Sequence, residues 1–227
     1  MAKLIKGNVH LENLHFKEIP EILKDVSIYG SCFLSHNRFT LLNNCPVRVE
    51  FDFEIYKNNI ISLVGSPTYI GGNFDCFHNK LPKLDKCTQK IGGEFDCSRN
   101  KLSSLVGGPI EVGTNYGCSY NNLISLQGAP TIIHGNFLCG NNLLPTLLGG
   151  PIRVFGTFRC RNNKITSLIG APKYVKTEFD VSNNSELESL EGIPEKVDGD
   201  FYCYNTKVKF TEEQIRAKCD VKGNVYV

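Results

Sequence analysis

No apolar run in this 227-residue chain is long enough to cross a membrane as a helix. The N-terminal stretch MAKLIKGNVHLENLHF carries lysines but lacks an apolar central region and a small-residue cleavage site. It reads as mature sequence of a protein that stays in the cytoplasm. Basic excess is also missing: 25 Lys and Arg stand against 23 Asp and Glu, a net charge of +2. That balance disfavours nucleic acid as a partner. There is no C-x-x-C pair and no Cys/His spacing of a zinc site. His10, His15, His36, His78 and His134 show no ligand spacing. P-loop, G-x-S-x-G and H-E-x-x-H motifs are absent. The expectation is a chain without metal, without cofactor and without catalysis.

What is present is periodic. Asn37, Asn58, Asn79, Asn100, Asn121, Asn142, Asn163 and Asn184 recur at 21-residue intervals. Five residues before most of them stands an aromatic (Phe53, Phe74, Phe95, Tyr116, Phe137, Phe158, Phe179), and three before is often cysteine (Cys76, Cys97, Cys118, Cys139, Cys160). Leu or Ile follows two residues after, leucine five after, glycine seven after and proline nine after in most turns. The unit is F-x-C-x-x-N-x-L-x-x-L-x-G-x-P-x-x-V-x-G-x. Phe and Cys two residues apart share one face of a short strand. No single turn can bury that face; stacking turns into a parallel sheet does. The asparagine amide, placed where the chain turns inward, can satisfy backbone groups that have no ladder partner. Glycine and proline on the return path set turns and prevent helix.

This unit is similar to the leucine-rich-repeat pattern L-x-L-x-x-N/C-x-L, with Phe and Cys in two of the leucine slots. The resemblance covers residues 28–210. It implies a mainly β solenoid of about nine turns, with short parallel strands on a concave face, an extended or 3-10 convex side and a short C-terminal capping helix. Residues 1–27 read as a degenerate N-terminal turn, in which Leu14 takes the asparagine slot 23 residues before Asn37. A one-residue insertion follows Asn184, and Thr206 holds the last asparagine slot. Residues 211–227 read as a cap. Thr211 to Gln214 form a capping box with Phe210 and Ile215 as its hydrophobic staple, followed by one alternating strand through Cys219, Val221, Val225 and Val227.

Ten cysteines would suggest disulfides in a secreted chain. Here six of them (76, 97, 118, 139, 160 and 203) fall in the inward slot, as a column of small buried hydrophobes. Reduced thiols stacked this way imply a reducing compartment.

Function is then expected in the slots that do not repeat. Residues six, four, two and one before each asparagine should point onto the concave face. Asp52, Glu54, Asp75, Glu94 and Asp96 place like charges on three successive strands, at a cost of roughly 1 kcal/mol per neighbouring pair in water. Tyr56, Phe77, His78, Arg99 and Tyr120 lie beside them, and Arg159 with Arg161 form a small basic island. Aromatics beside charge match the core and rim of an interface. The reading is a protein-binding module whose partner carries a basic patch. The repeat variant resembles arrays in tailed-phage and prophage proteins, and the short repeats of secreted bacterial effectors that hold host proteins. That resemblance implies a phage-type protein that binds and inhibits a bacterial host (defence) factor in the host cytoplasm. A nucleic-acid-binding solenoid and a non-catalytic scaffold are the alternatives.

Overall fold

The computed structural model describes residues 3–227. Its main sheet has 11 parallel strands, most of them two residues long and each belonging to the next turn of the chain. Phe53–Glu54 pairs with Phe74–Asp75, which pairs with Phe95–Asp96, and so on in strict register. In each central strand the first residue is buried and the second lies on the outer face. The inward aromatics stack from turn to turn with ring centroids 5.0–5.6 Å apart, from Phe53 to Phe201. Each buried ring contributes roughly 2–3 kcal/mol by removal from water. Cysteine and leucine columns complete the core.

The asparagine ladder is present in atomic detail. Asn79 Nδ2 donates to the Cys76 carbonyl of its own turn at 3.1 Å and to the Ile55 carbonyl of the preceding turn at 3.0 Å. Its Oδ1 accepts the Ile60 N–H of that preceding turn at 3.0 Å. Asn58, Asn100, Asn121, Asn142 and Asn163 repeat the pattern. Each amide thus joins two turns and satisfies three buried backbone groups that the sheet leaves over. The glycine seven residues on sits at positive φ in five of these turns, for example Gly65 at 96° and Gly107 at 86°, which explains its recurrence.

The ends differ from expectation. The stack has eleven turns rather than about nine. Val9 pairs with Cys32 and Val225 with Phe201, at offsets of 23 and 24 residues. The hydrogen-bond register continues there after the 21-residue period has lapsed. Asn37 Nδ2 accordingly reaches Leu11, 26 residues away, with Leu14 in the asparagine slot. The helix Glu212–Arg216 forms with the Thr211–Gln214 capping box in place. The single strand expected after it is two, Asp220–Val221 and Val225–Tyr226, which form a further turn of the stack.

A second row of two-residue strands precedes the main strands, for example Arg48–Val49, Tyr69–Ile70 and Arg153–Val154. These form a six-stranded and a five-stranded parallel sheet. The periodicity foresaw extended chain outside the main strands but not this pairing. Among the described residues, 3-10 helix is confined to Glu21–Leu23. No helix is long and apolar enough to cross a membrane.

Candidate functional site

The register of the main sheet puts one residue per turn into a column on its outer face. It reads His10, Phe33, Glu54, Asp75, Asp96, Gly117, Leu138, Arg159, Asp180, Tyr202, Tyr226. Stacked rings close it at both ends: His10 on Phe33 at 4.8 Å and Tyr202 on Tyr226 at 4.6 Å. Glu54, Asp75 and Asp96 are therefore direct neighbours on adjacent strands.

Asp75 and Asp96 also have a local structural task. Asp75 Oδ1 accepts the N–H of Phe77 and Asp96 Oδ1 that of Ser98, both at 2.8 Å, which turns the chain out of the strand. Asp180 does the same for Ser182. The Asp-x-Ser spacing is visible in the sequence and marks this turn. The acids remain electrostatically unfavourable. Partial burial pushes Asp75 up to about 7; the Phe77 hydrogen bond opposes the shift, and Asp96, Glu54 and Glu94 add to it. Burial raises Asp96 and Glu54 as well.

Asp52 and Glu94 lie six residues before the asparagine, in a second ladder that the sequence reading missed. Asp52 Oδ1 accepts the Asn73 N–H, Asn73 Oδ1 the Glu94 N–H, Asn115 Oδ1 the Asn136 N–H and Asn136 Oδ1 the Thr157 N–H, each at 2.8 Å. Asn8, Ser31 and Asp200 act likewise at the two ends. The recurrence of Asn, Asp and Ser in that slot is the signal, hidden because the slot also holds Glu and Thr. Glu94 instead takes a hydrogen bond from Asn115 Nδ2 at 2.9 Å.

The residue just before each asparagine adopts left-handed backbone, with φ between 50° and 57° from His36 to Asn205. Asparagine, which tolerates that conformation, fills the last four such slots (141, 162, 183 and 205). His36, Lys57, His78, Arg99 and Tyr120 fill the first five at a strain of about 1 kcal/mol each. Their side chains form a clustered rim. His36 packs edge-on against Tyr56 at 5.2 Å and Phe77 against His78 at 5.8 Å, and the Arg99 guanidinium lies 4.5 Å from the Tyr120 ring centroid. Tyr56, Phe77, His78, Arg99 and Tyr120 thus stand together beside the acids. Arg159 and Arg161 lie further along the stack. Arg159 is 2.8 Å from Glu178 and 3.4 Å from Asp180, so its charge is largely balanced within the chain.

All ten cysteines are free and buried. Burial pushes their thiols up, Cys32, Cys203 and Cys219 to about 12, which favours the protonated thiol at neutral pH. Among the described residues no group of three or more His, Cys, Asp or Glu is placed to hold a metal ion.

No family model matches the chain, and no curated protein matches it. Among solved structures it is similar to YopM from Yersinia enterocolitica WA-314, with 15% identity and a TM-score of 0.39. The match covers 89% of this chain and 61% of that one, so this chain spans less than two thirds of the YopM structure. By its own repeat, register and asparagine ladder, the molecule is a parallel-strand β-solenoid of short turns whose fold fits the leucine-rich-repeat type.

Proposed function

We propose that the chain is a non-catalytic protein-binding module, and that the outer face of the main sheet around Glu54, Asp75 and Asp96 receives a basic patch of its partner. One observation carries this reading. Three carboxylates are stacked on adjacent strands, partly desolvated and beside a half-exposed aromatic rim, with a charge repulsion that asparagine, making the same backbone hydrogen bonds, would avoid. A lysine or arginine seated on the column would relieve the repulsion and be desolvated by Tyr56 and Phe77. The left-handed His36, His78, Arg99 and Tyr120 support the same face. Strain kept in five consecutive turns, where asparagine would relieve it, suits a contact surface. The resemblance of the repeat to phage and effector arrays supports a finer reading: a phage-type protein that holds and inhibits a bacterial host factor in the host cytoplasm.

The test is affinity capture from bacterial lysate, comparing wild type with Asp75→Asn/Asp96→Asn by quantitative mass spectrometry. Asparagine keeps the hydrogen bond to the backbone N–H and removes the charge. We expect a basic partner to be depleted about tenfold or more with the variant. Equal recovery would take this face out of the account.

A further inference from the structure

The second row of strands carries a surface that the proposed function does not use. Each of its two-residue strands turns the second residue inward (Val49, Ile70, Ile91, Val112, Ile133, Val154, Val175) and leaves the first outside. From turn to turn these strands are joined by two hydrogen bonds, except between Tyr69–Ile70 and Lys90–Ile91, where Gln89 donates none and only the bond from Gly92 to Ile70 is made. Gly92 donates to Ile70 and Gly113 to Ile91, for example, and Ile110 donates to Gln89. Among the described residues the ladder fails once, between Glu111–Val112 and Ile132–Ile133. The bonds that Thr131 and His134 would donate to Ile110 and Val112 are not made.

One glycine column runs up to the break. Gly71, Gly92 and Gly113 follow one another so closely that a Cβ on each would come within 2.1, 1.9 and 1.8 Å of the preceding turn's carbonyl oxygen. His134 is the next residue in that column and has a side chain. The ladder is interrupted at His134 and resumes at Phe155 and Lys176, which also carry side chains. Over the glycine column lies a cleft of about 470 Å³ that runs from Tyr69 through Ile110 and reaches the break at Thr131, Ile132 and His134. Ile110 and Ile132 are 59% and 44% exposed, although each is a large apolar side chain. Thr131 and His134, whose N–H groups have no backbone acceptor, both line it.

The cleft runs on into a cationic and aromatic strip. His134 stacks on Phe155 at 6.0 Å and 9°, and Phe155 meets Tyr174 at 5.8 Å. The Arg153 guanidinium lies 5.7 Å from the Phe155 ring and 5.3 Å from that of Tyr174, and Lys196 Nζ is 5.8 Å from Tyr174. The nearby acids are already bound: Asp198 holds Lys196 and the Tyr174 hydroxyl, and Glu195 holds Lys173. Arg153 and Lys176 form no ion pair among the described residues.

We infer that this flank is a second docking track, for an extended acidic peptide of a partner protein with one aliphatic anchor. The anchor fills the end of the cleft at the break, where its neighbouring carbonyls accept the Thr131 and His134 N–H groups. The acidic residues lie over Arg153 and Lys176, their stems against Phe155 and Tyr174. The track from Tyr69 to Lys196 crosses seven strands, roughly 30 Å at ~4.8 Å per step, which an extended peptide spans in about nine residues. Charge and position separate it from the acidic column on the main sheet, so each can fail without the other.

The experiment is fluorescence anisotropy of the full chain with a labelled decapeptide, a leucine followed by alternating glutamate and threonine. Its comparators are the same peptide with lysine for glutamate and a decathymidylate. We expect the glutamate peptide to bind at least roughly tenfold tighter than either comparator. Arg153→Glu/Lys176→Glu, at exposed sites, should abolish the difference, and Ile132→Trp should weaken binding by filling the cleft. Asp75→Asn/Asp96→Asn should leave it unchanged. No binding of the glutamate peptide at about millimolar concentration would overturn the proposal. So would equal binding of the lysine peptide, tighter binding of the oligonucleotide, or full affinity in the Arg153/Lys176 variant.

Discussion

At the scale of single residues, the repeat tolerates exceptions unevenly. Tyr116 takes the place of phenylalanine in the aromatic column, fully buried, and its hydroxyl has no hydrogen-bond partner. An unsatisfied buried hydroxyl costs about 1–3 kcal/mol. Tyr116→Phe keeps the ring contacts with Phe95 and Phe137 and removes the hydroxyl. It should stabilise the chain by about 1 kcal/mol, raising Tm by ~2–4 °C in a thermal melt. Leu14 and Thr206, by contrast, stand in asparagine slots at the ends, where fewer turns need joining. The inward and outward residues of the core columns were legible from period alone. The double role of Asp75, Asp96 and Asp52 was not, because a charge in a slot without a strict repeat reads as variable surface. Only the hydrogen bonds to Phe77, Ser98 and Asn73 show that these carboxylates also hold the backbone.

At the scale of the repeating element, the asparagine holds neighbouring turns together. Asn121 donates to Cys97 and Cys118 carbonyls at 3.1 Å and accepts the Leu102 N–H at 3.0 Å. Asn121→Ala would leave three buried backbone groups without partners and should cost about 2–4 kcal/mol in urea denaturation. In a one-dimensional stack that loss falls on one interface between turns, so unfolding should divide there and lose its two-state shape. The capping box at Thr211 and the slipped register after Asn184 were both readable from local residue types. The second row of strands was not. Its signal is one buried β-branched residue per turn, Val49 to Val221, flanked by residues of every kind, and a period of one apolar position cannot by itself tell a strand from a loop. The parting at His134 was hidden for the same reason. It shows only in the stacked backbone, where pairing stops at Val112 and restarts at Ile132.

At the scale of the whole molecule, the solenoid presents an acidic, aromatic-rimmed main face and a flank whose free charges are cationic. The core of stacked rings, thiols and leucines carries the fold, which leaves those surfaces to be set by contact with partners. The extra turns at both ends lengthen the main sheet to eleven strands without altering this division. If the acidic column receives a cation, binding must be linked to protonation of Asp75, which titrates near 7 in the free chain. A bound lysine or arginine lowers that value, so association releases a proton below pH 7 and none well above it. The decisive measurement is the affinity of the captured partner for the wild type and for Asp75→Asn at pH values one unit below and one unit above about 7. The account predicts that wild-type affinity rises with pH, by up to about tenfold, and then levels off. The Asp75→Asn affinity should be weaker and flat across the same range. Wild-type affinity that is independent of pH, or an Asp75→Asn variant that binds as tightly as wild type at the higher pH, would contradict it.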